Sequence, residues 1–267
     1  MTTETADALF QRGDLSGAMS AAVAAVKANP AAAAPRLLLA ELALFSGDLQ
    51  RAETMLTAIE SIEPKAALIA AEFRQLLRAE TQRRAVFADG ALPEFLHEPT
   101  AVQQESLRAL TALRSGDDAS AQAAAQAAES ARPHPTGERI AGADTTTFDD
   151  FRDADDIIGG TTELLTSTGK YFWIPNESLI SLHFHDPVRP RDLYWRRCTA
   201  MVRNGPEGDV YIPATYPLTT SSDDDALRLG RSTEWTEDEP VRGVGRRMFL
   251  VGDEPLDVME LGTLEFS

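Results

Sequence analysis

The chain has 267 residues, 43% of them hydrophobic and 25% charged, which is enough for one or two domains with their own cores. A net charge of −17 argues against nucleic acid or an anionic membrane as a direct partner. The single cysteine, Cys198, excludes an intramolecular disulfide and a multi-cysteine metal site, and reads as a small buried hydrophobe in an apolar strand.

Residues 5–28 predict two short helices separated by Gly13-Asp14, with Leu9, Phe10, Leu15, Met19, Val23 and Val26 on their apolar faces. Residues 35–45 and 49–61 predict a second pair, with Leu38, Leu42, Leu49, Leu56 and Ile59 at helical spacing. The two pairs are in register: Gly13-Asp14-Leu15 and Ala18 return as Gly47-Asp48-Leu49 and Ala52, 34 residues later. That period is the one of the tetratricopeptide helix–turn–helix unit. Gly ends the first helix, a small Ala lets the second pack closely on it, and Pro30 and Pro64 stop the second helix. A weaker third copy, Gly116-Asp117 with Ala121, follows 69 residues after Gly47. Between them, 66–87 predicts a long helix with Arg74, Arg78, Arg83 and Arg84 as a solvated outer row, and 100–114 with 118–131 predicts another pair. The longest apolar run, Leu37 to Phe45, contains Glu41 and is too short to cross a bilayer, and Glu4, Asp7 and Asp14 interrupt any secretory signal core. The expectation is a cytoplasmic protein.

Composition changes after Arg132. Residues 132–137 read as a linker and 142–147 as a polar loop. Beyond Phe148 short apolar runs between Gly, Pro and Asn turns predict strands: 171–174, 179–184, 193–202, 210–212, 248–251 and 258–266. The fold expected is therefore α+β, a tetratricopeptide-like helical domain over 1–140 and a compact, mainly β domain over 145–267. Residues 1–140 carry 13 basic and 18 acidic side chains, and 141–267 carry 12 and 24, so the acidity concentrates in the second half.

Chemical motifs are sparse. His183 and His185 would share one face of a strand, an arrangement that can hold a metal, but no further His is close in sequence and Pro187 ends the strand. Asp149 to Asp156 supplies five carboxylates in eight residues without EF-hand spacing; it reads as a solvated turn or a pairing surface for arginines rather than a catalytic dyad. No G-x-S-x-G elbow occurs, Gly243-Val244-Gly245 is a fragment of a glycine-rich pattern, and Gly159-Gly160-Thr161-Thr162 lacks the lysine of a phosphate loop, so a hairpin turn accounts for it. No catalytic residue, cofactor or metal ligand is assigned. An enzyme alternative, a metal-dependent hydrolase, would use His183 and His185 with Asp153 and Asp156.

Five segments occur in a telling order: Phe151-Arg152-Asp153-Ala154-Asp155-Asp156, Tyr171 to Pro175, Pro190-Arg191-Asp192-Leu193-Tyr194-Trp195, Tyr211 to Pro213 with Tyr216-Pro217, and Leu227 to Trp235. Together they resemble the ImpE/SciE family, also called TagJ, of bacterial type VI secretion. Gly159-Gly160 stands where relatives are expected to have Gly-Pro. The resemblance implies a non-catalytic adaptor whose partners are the small subunit of the contractile sheath and the AAA+ ATPase that recycles contracted sheath. Within that reading Leu9, Phe10, Leu15 and Met19 are candidate partner-binding residues on a terminal, least buried repeat. Arg152, Asp153, Asp156, Arg191, Asp192, Trp195, Arg231 and Trp235 are expected to be structural, as one network of arginine–carboxylate pairs under indole rings.

Overall fold

The computed structural model describes residues 4–267. Seven helices come first: α1 Ala6–Arg12, α2 Leu15–Ala28, α3 Ala33–Phe45, α4 Leu49–Ile62, α5 Ala67–Asp89, α6 Ala101–Ser115 and α7 Asp118–Ala131. The recurring Gly-Asp pair has a complete physical explanation. Gly13, Gly47 and Gly116 adopt φ of +95°, +76° and +71°, a left-handed turn that any Cβ would strain. Asp14, Asp48 and Asp117 then cap the next helix, accepting from the N–H of Gly17, Arg51 and Ser120 at 2.7, 2.9 and 3.0 Å. Ala18, Ala52 and Ala121 are all fully buried one turn later, where the paired helices approach most closely. Three helical hairpins, α1–α2, α3–α4 and α6–α7, therefore share one turn chemistry.

Thirteen strands follow: β1 Gly137–Ala141, β2 Asp144–Phe148, β3 Phe151–Asp153, β4 Thr161–Thr166, β5 Tyr171–Pro175, β6 Leu179–Phe184, β7 Trp195–Val202, β8 Glu207–Pro213, β9 Thr233–Trp235, β10 Gly243–Gly245, β11 Met248–Val251, β12 Glu254–Asp257 and β13 Thr263–Phe266, with a short helix α8 Asp225–Arg228 before β9. Eight of them form an antiparallel sheet in the order β2-β1-β13-β6-β7-β8-β4-β5, and β12-β11-β3 form a second, three-stranded sheet. Several expectations are corrected here. The polar 142–147 segment contains an edge strand, because consecutive threonines favour extended backbone even where neither face is apolar. Thr161 and Thr162 begin β4 instead of closing a hairpin turn, while residues 258–262 turn and only the end of that run is a strand.

Two cores meet at the large sheet. On one face Leu182, Phe184, Cys198, Ile212 and Leu264 pack against Phe151, Phe249 and Leu256 of the three-stranded sheet. On the other face, Leu165, Tyr171, Trp173, Trp195 and Tyr211 join Phe10, Leu42, Phe45, Phe73 and Leu76 of the helices. The helical half and the β half thus share one apolar core. Backbone crosses the seam as well: Glu94 N–H donates to Tyr171 O at 2.8 Å and Trp173 N–H to Glu94 O at 3.1 Å, which covers the β5 edge of the sheet.

Candidate interaction surfaces

The row of arginines on α5 is not a solvated face throughout. Arg83 is 2% exposed, and its Nε lies 2.7 Å from Glu163 Oε1 of β4, while its Nη2 donates to Thr215 O at 2.9 Å. Glu163, fully buried, also binds Arg247 and the Tyr171 hydroxyl, which in turn accepts from Trp173 Nε1 at 2.6 Å. Arg247 reaches a second carboxylate, Asp153 Oδ2, at 2.9 Å. One turn earlier on α5, buried Glu80 pairs with Arg84 at 3.2 Å and accepts from Tyr194 and Trp195 Nε1, both at 3.2 Å. Buried charges of this kind persist only when each finds partners, and here Arg83–Glu163 joins α5 to β4 while Glu80 of α5 takes donors from Tyr194 and Trp195. Burial pushes the Asp153 carboxyl up to about 6, against the pull of Arg247, and lowers the Arg247 guanidinium to about 10.

The acidic run Asp149 to Asp156 is therefore partly core: Asp153 and Asp155 are each 1% exposed. Asp155 accepts from Ile157 N–H at 2.9 Å and Gly243 N–H at 3.1 Å. Asp156 pairs with Arg152 at 3.3 Å, and Arg152 also reaches Glu129 of α7 at 2.9 Å. Burial also raises the Cys198 thiol well above its usual range, as befits its place in the sheet core.

The motif arginines and tryptophans do not form the single network expected from their spacing. Arg191 is buried with Nη2 3.0 Å from Glu72 Oε1 of α5, its guanidinium 5.2 Å above the Phe73 ring and 5.7 Å from that of Tyr211. Asp192 accepts from Val188 N–H at 3.0 Å and so closes its own loop. Arg231 is exposed; its Nη2 donates to the carbonyls of Phe10 and Gln11 at 2.7 and 2.9 Å and so caps the end of α1. Trp195 is fully buried beneath α5, whereas Trp235 is 41% exposed, with its ring tilted against that of Tyr216 at 5.6 Å. Sequence proximity misleads for Arg191 and Arg231, whose partners lie on α5 and at the end of α1, while Arg152 keeps its near neighbour Asp156. The pairs that tie the halves together are others, Arg83–Glu163, Glu80 with Tyr194 and Trp195, and Arg132–Asp150 at 2.6 Å, and the sequence motifs do not point to them. The available signal was a glutamate inside an otherwise apolar strand and an acid and base three apart on an inward helix face.

The candidate partner-binding residues of the first repeat lie in or against the core. Phe10 and Leu15 are 3% and 2% exposed, and Leu9 and Met19 pack against the same core. Besides Arg231, Asp225 Oδ2 holds it by accepting from Leu15 N–H at 3.0 Å. The surface left open lies on the other side. A cavity of about 710 Å³ between α1, α2 and α3 is lined by Ala21, Ala24, Ala25, Ala28, Leu37 and Leu38, with Glu4, Asp7 and Glu41 around it. It adjoins, through Ala34 and Leu37, a second apolar hollow of about 240 Å³ reaching Ile59 and Ile69.

His183 of β6 and His185, just beyond its end, stand side by side with ring centroids 5.1 Å apart. Their nitrogens are engaged by Thr263 at 2.7 Å and Thr199 at 2.9 Å, and they share no partner with Asp153 or Asp156. Among the described residues no three His, Cys, Asp or Glu side chains are grouped to hold a metal ion, and no helix is long and apolar enough to cross a membrane.

Stacked helical hairpins with an open apolar groove, sealed onto an antiparallel sheet, define a tetratricopeptide-type scaffold; residues 9–72 match the tetratricopeptide repeat family and residues 145–265 match the ImpE protein family. The type VI secretion system accessory component TagJ of Pseudomonas aeruginosa is 31% identical over 98% of this chain and 91% of its own length. The chain belongs to the ImpE family. A crystal structure of a protein from Vibrio parahaemolyticus superposes with a TM-score of 0.88 at 27% identity, covering 98% of this chain and 97% of the other.

Proposed function

We propose that this protein is a non-catalytic cytoplasmic adaptor of a bacterial type VI secretion system, which binds the small subunit of the contractile sheath, the AAA+ ATPase that recycles the sheath, or both. The observation that carries this reading is the open apolar groove of α1–α3, alongside the relative named as an accessory component of such a system. Closely spaced alanines leave room for the bulky i, i+3, i+4 and i+7 anchors of an amphipathic helix. Glu4 and Asp7 at the rim suit basic residues flanking that apolar stripe. The residues first singled out, Phe10 and Leu15, then serve as the floor that shapes the groove and not as its contacts.

Because the two halves share a core, the test uses the whole chain. Ala24→Arg places a charge in the groove at an exposed helical position and should leave the fold intact. Binding of the purified sheath small subunit, followed by calorimetry, should weaken at least tenfold, and an unchanged affinity of the folded variant would reject the groove as the docking site. Parallel titration with the ATPase decides whether one groove serves both partners.

A further inference from the structure

The large sheet has two edges, and only the β5 edge is covered. At the other, β2 pairs with β1 alone, in the register Gly137↔Phe148 to Ala141↔Asp144. Ala141 and Asp144 flank the two-residue turn Gly142-Ala143, so Asp144, Thr146 and Phe148 direct their backbone groups to β1. The N–H and C=O of Thr145 and Thr147 therefore face away from the sheet, and neither residue has a backbone partner beyond it. Such an edge is a template for another strand unless lysine, proline or a bulge blunts it, and β2 contains none of these.

Beside this edge lies an open groove of about 820 Å³, bounded by β2 and the β11–β12 hairpin. Phe148 and Val251 form its apolar floor; Asp149, Asp253 and Glu254 line it, and no cationic side chain does. Glu254 has one distant counter-charge, Arg139 at 3.9 Å, and is itself 60% exposed. Asp144 adds a further exposed carboxylate at the start of the strand.

We infer that β2 receives an extended, basic segment of a partner protein by strand addition, with an apolar side chain over Phe148 and Val251 and lysines or arginines on either side of it. Main-chain bonds to Thr145 and Thr147 supply the pairing, and the carboxylates select the charge. Self-pairing of two copies is disfavoured, because Asp149, Asp253 and Glu254 line the groove and no cation there would face the same carboxylates of a second copy. This surface lies on the sheet, away from the helical groove, and its occupancy is independent of the adaptor reading above.

The probe is a hexapeptide of alternating lysine and valine, blocked at both ends, titrated into the full-length protein. Binding should slow amide hydrogen exchange at Thr145 and Thr147 at least tenfold, and weaken with salt. A glutamate–valine peptide, or the lysine peptide N-methylated at alternate amides, should not bind. Thr147→Pro removes one outward N–H without touching the β1 ladder and should abolish binding at an unchanged melting temperature; Asp253→Lys with Glu254→Lys should weaken it at least tenfold. If Thr147→Pro does not fold, the N-methylated peptide carries the same test. Equal affinity for methylated and unmethylated peptides, unaltered exchange at both threonines, or a concentration-dependent dimer that protects them without peptide would each overturn the inference.

Discussion

Glu163→Gln keeps the shape of the side chain and removes the carboxylate that Arg83 and Arg247 share. Both guanidinium groups are at most 2% exposed, so water cannot take over the lost charge. Removing one partner of a buried pair costs about 3–5 kcal/mol, because the other charge stays buried. Glu80, 3.7 Å from Arg83, and Asp153, 2.9 Å from Arg247, remain as second anions and hold the loss near the lower bound, about 3 kcal/mol. For a chain of this size each kcal/mol lowers the melting temperature by about 2–4 °C, which gives a fall of about 6–12 °C. Adding Arg83→Met removes the surplus cation and should recover part of that loss. The assay is thermal and urea unfolding followed in parallel by far-ultraviolet circular dichroism, which reports the helices, and by the fluorescence of buried Trp173 and Trp195. Since Arg83 belongs to α5 and Glu163 to β4, both signals should shift together in one transition. A loss below about 1 kcal/mol, or a fluorescence transition that moves while the helical one stays, would refute the claim that this cluster joins the two halves.

Ala52 is fully buried where α4 meets α3, so Ala52→Leu should cost about 1–3 kcal/mol by overpacking, read from the urea midpoint. Arg191→Ala should cost about 3 kcal/mol through the loss of its partly buried pair with Glu72 and its aromatic contacts, whereas exposed Arg231→Ala should cost about 1 kcal/mol, the value of bonds to the end of α1; equal melting shifts would contradict this ranking. Asp153 has a raised pKa of about 6 in the folded protein, so its stabilising contribution is complete below the ordinary carboxylate range and is lost as pH rises through about 6. The difference in unfolding free energy between Asp153→Asn and the parent should therefore change between pH of about 4 and about 7, in favour of the variant at the upper end; a pH-independent difference would show that Asp153 titrates normally.

The amino-acid sequence by itself determined the helical hairpins. Gly-Asp-Leu and the later alanine encode a left-handed turn, a helix cap and a close approach, all within six residues, so no distant contact is needed to specify them. It also carried the change from helices to strands, expected between residues 140 and 145 although the first strand begins at Gly137, and, through five ordered segments, the family. Tertiary structure alone decided what the charges do. Arg83 and Arg74 lie on one helix, yet the first is sealed against Glu163 while the second reaches Glu53 and Glu60 from the surface, both at 2.6 Å. Asp153 and Asp156 differ in the same way within one short run. Arg247 lies 94 residues from its partner Asp153, and no local pattern encodes such a pairing. The edge at β2 was equally invisible, because threonines read as loop until the hairpin register shows which backbone groups are left facing water.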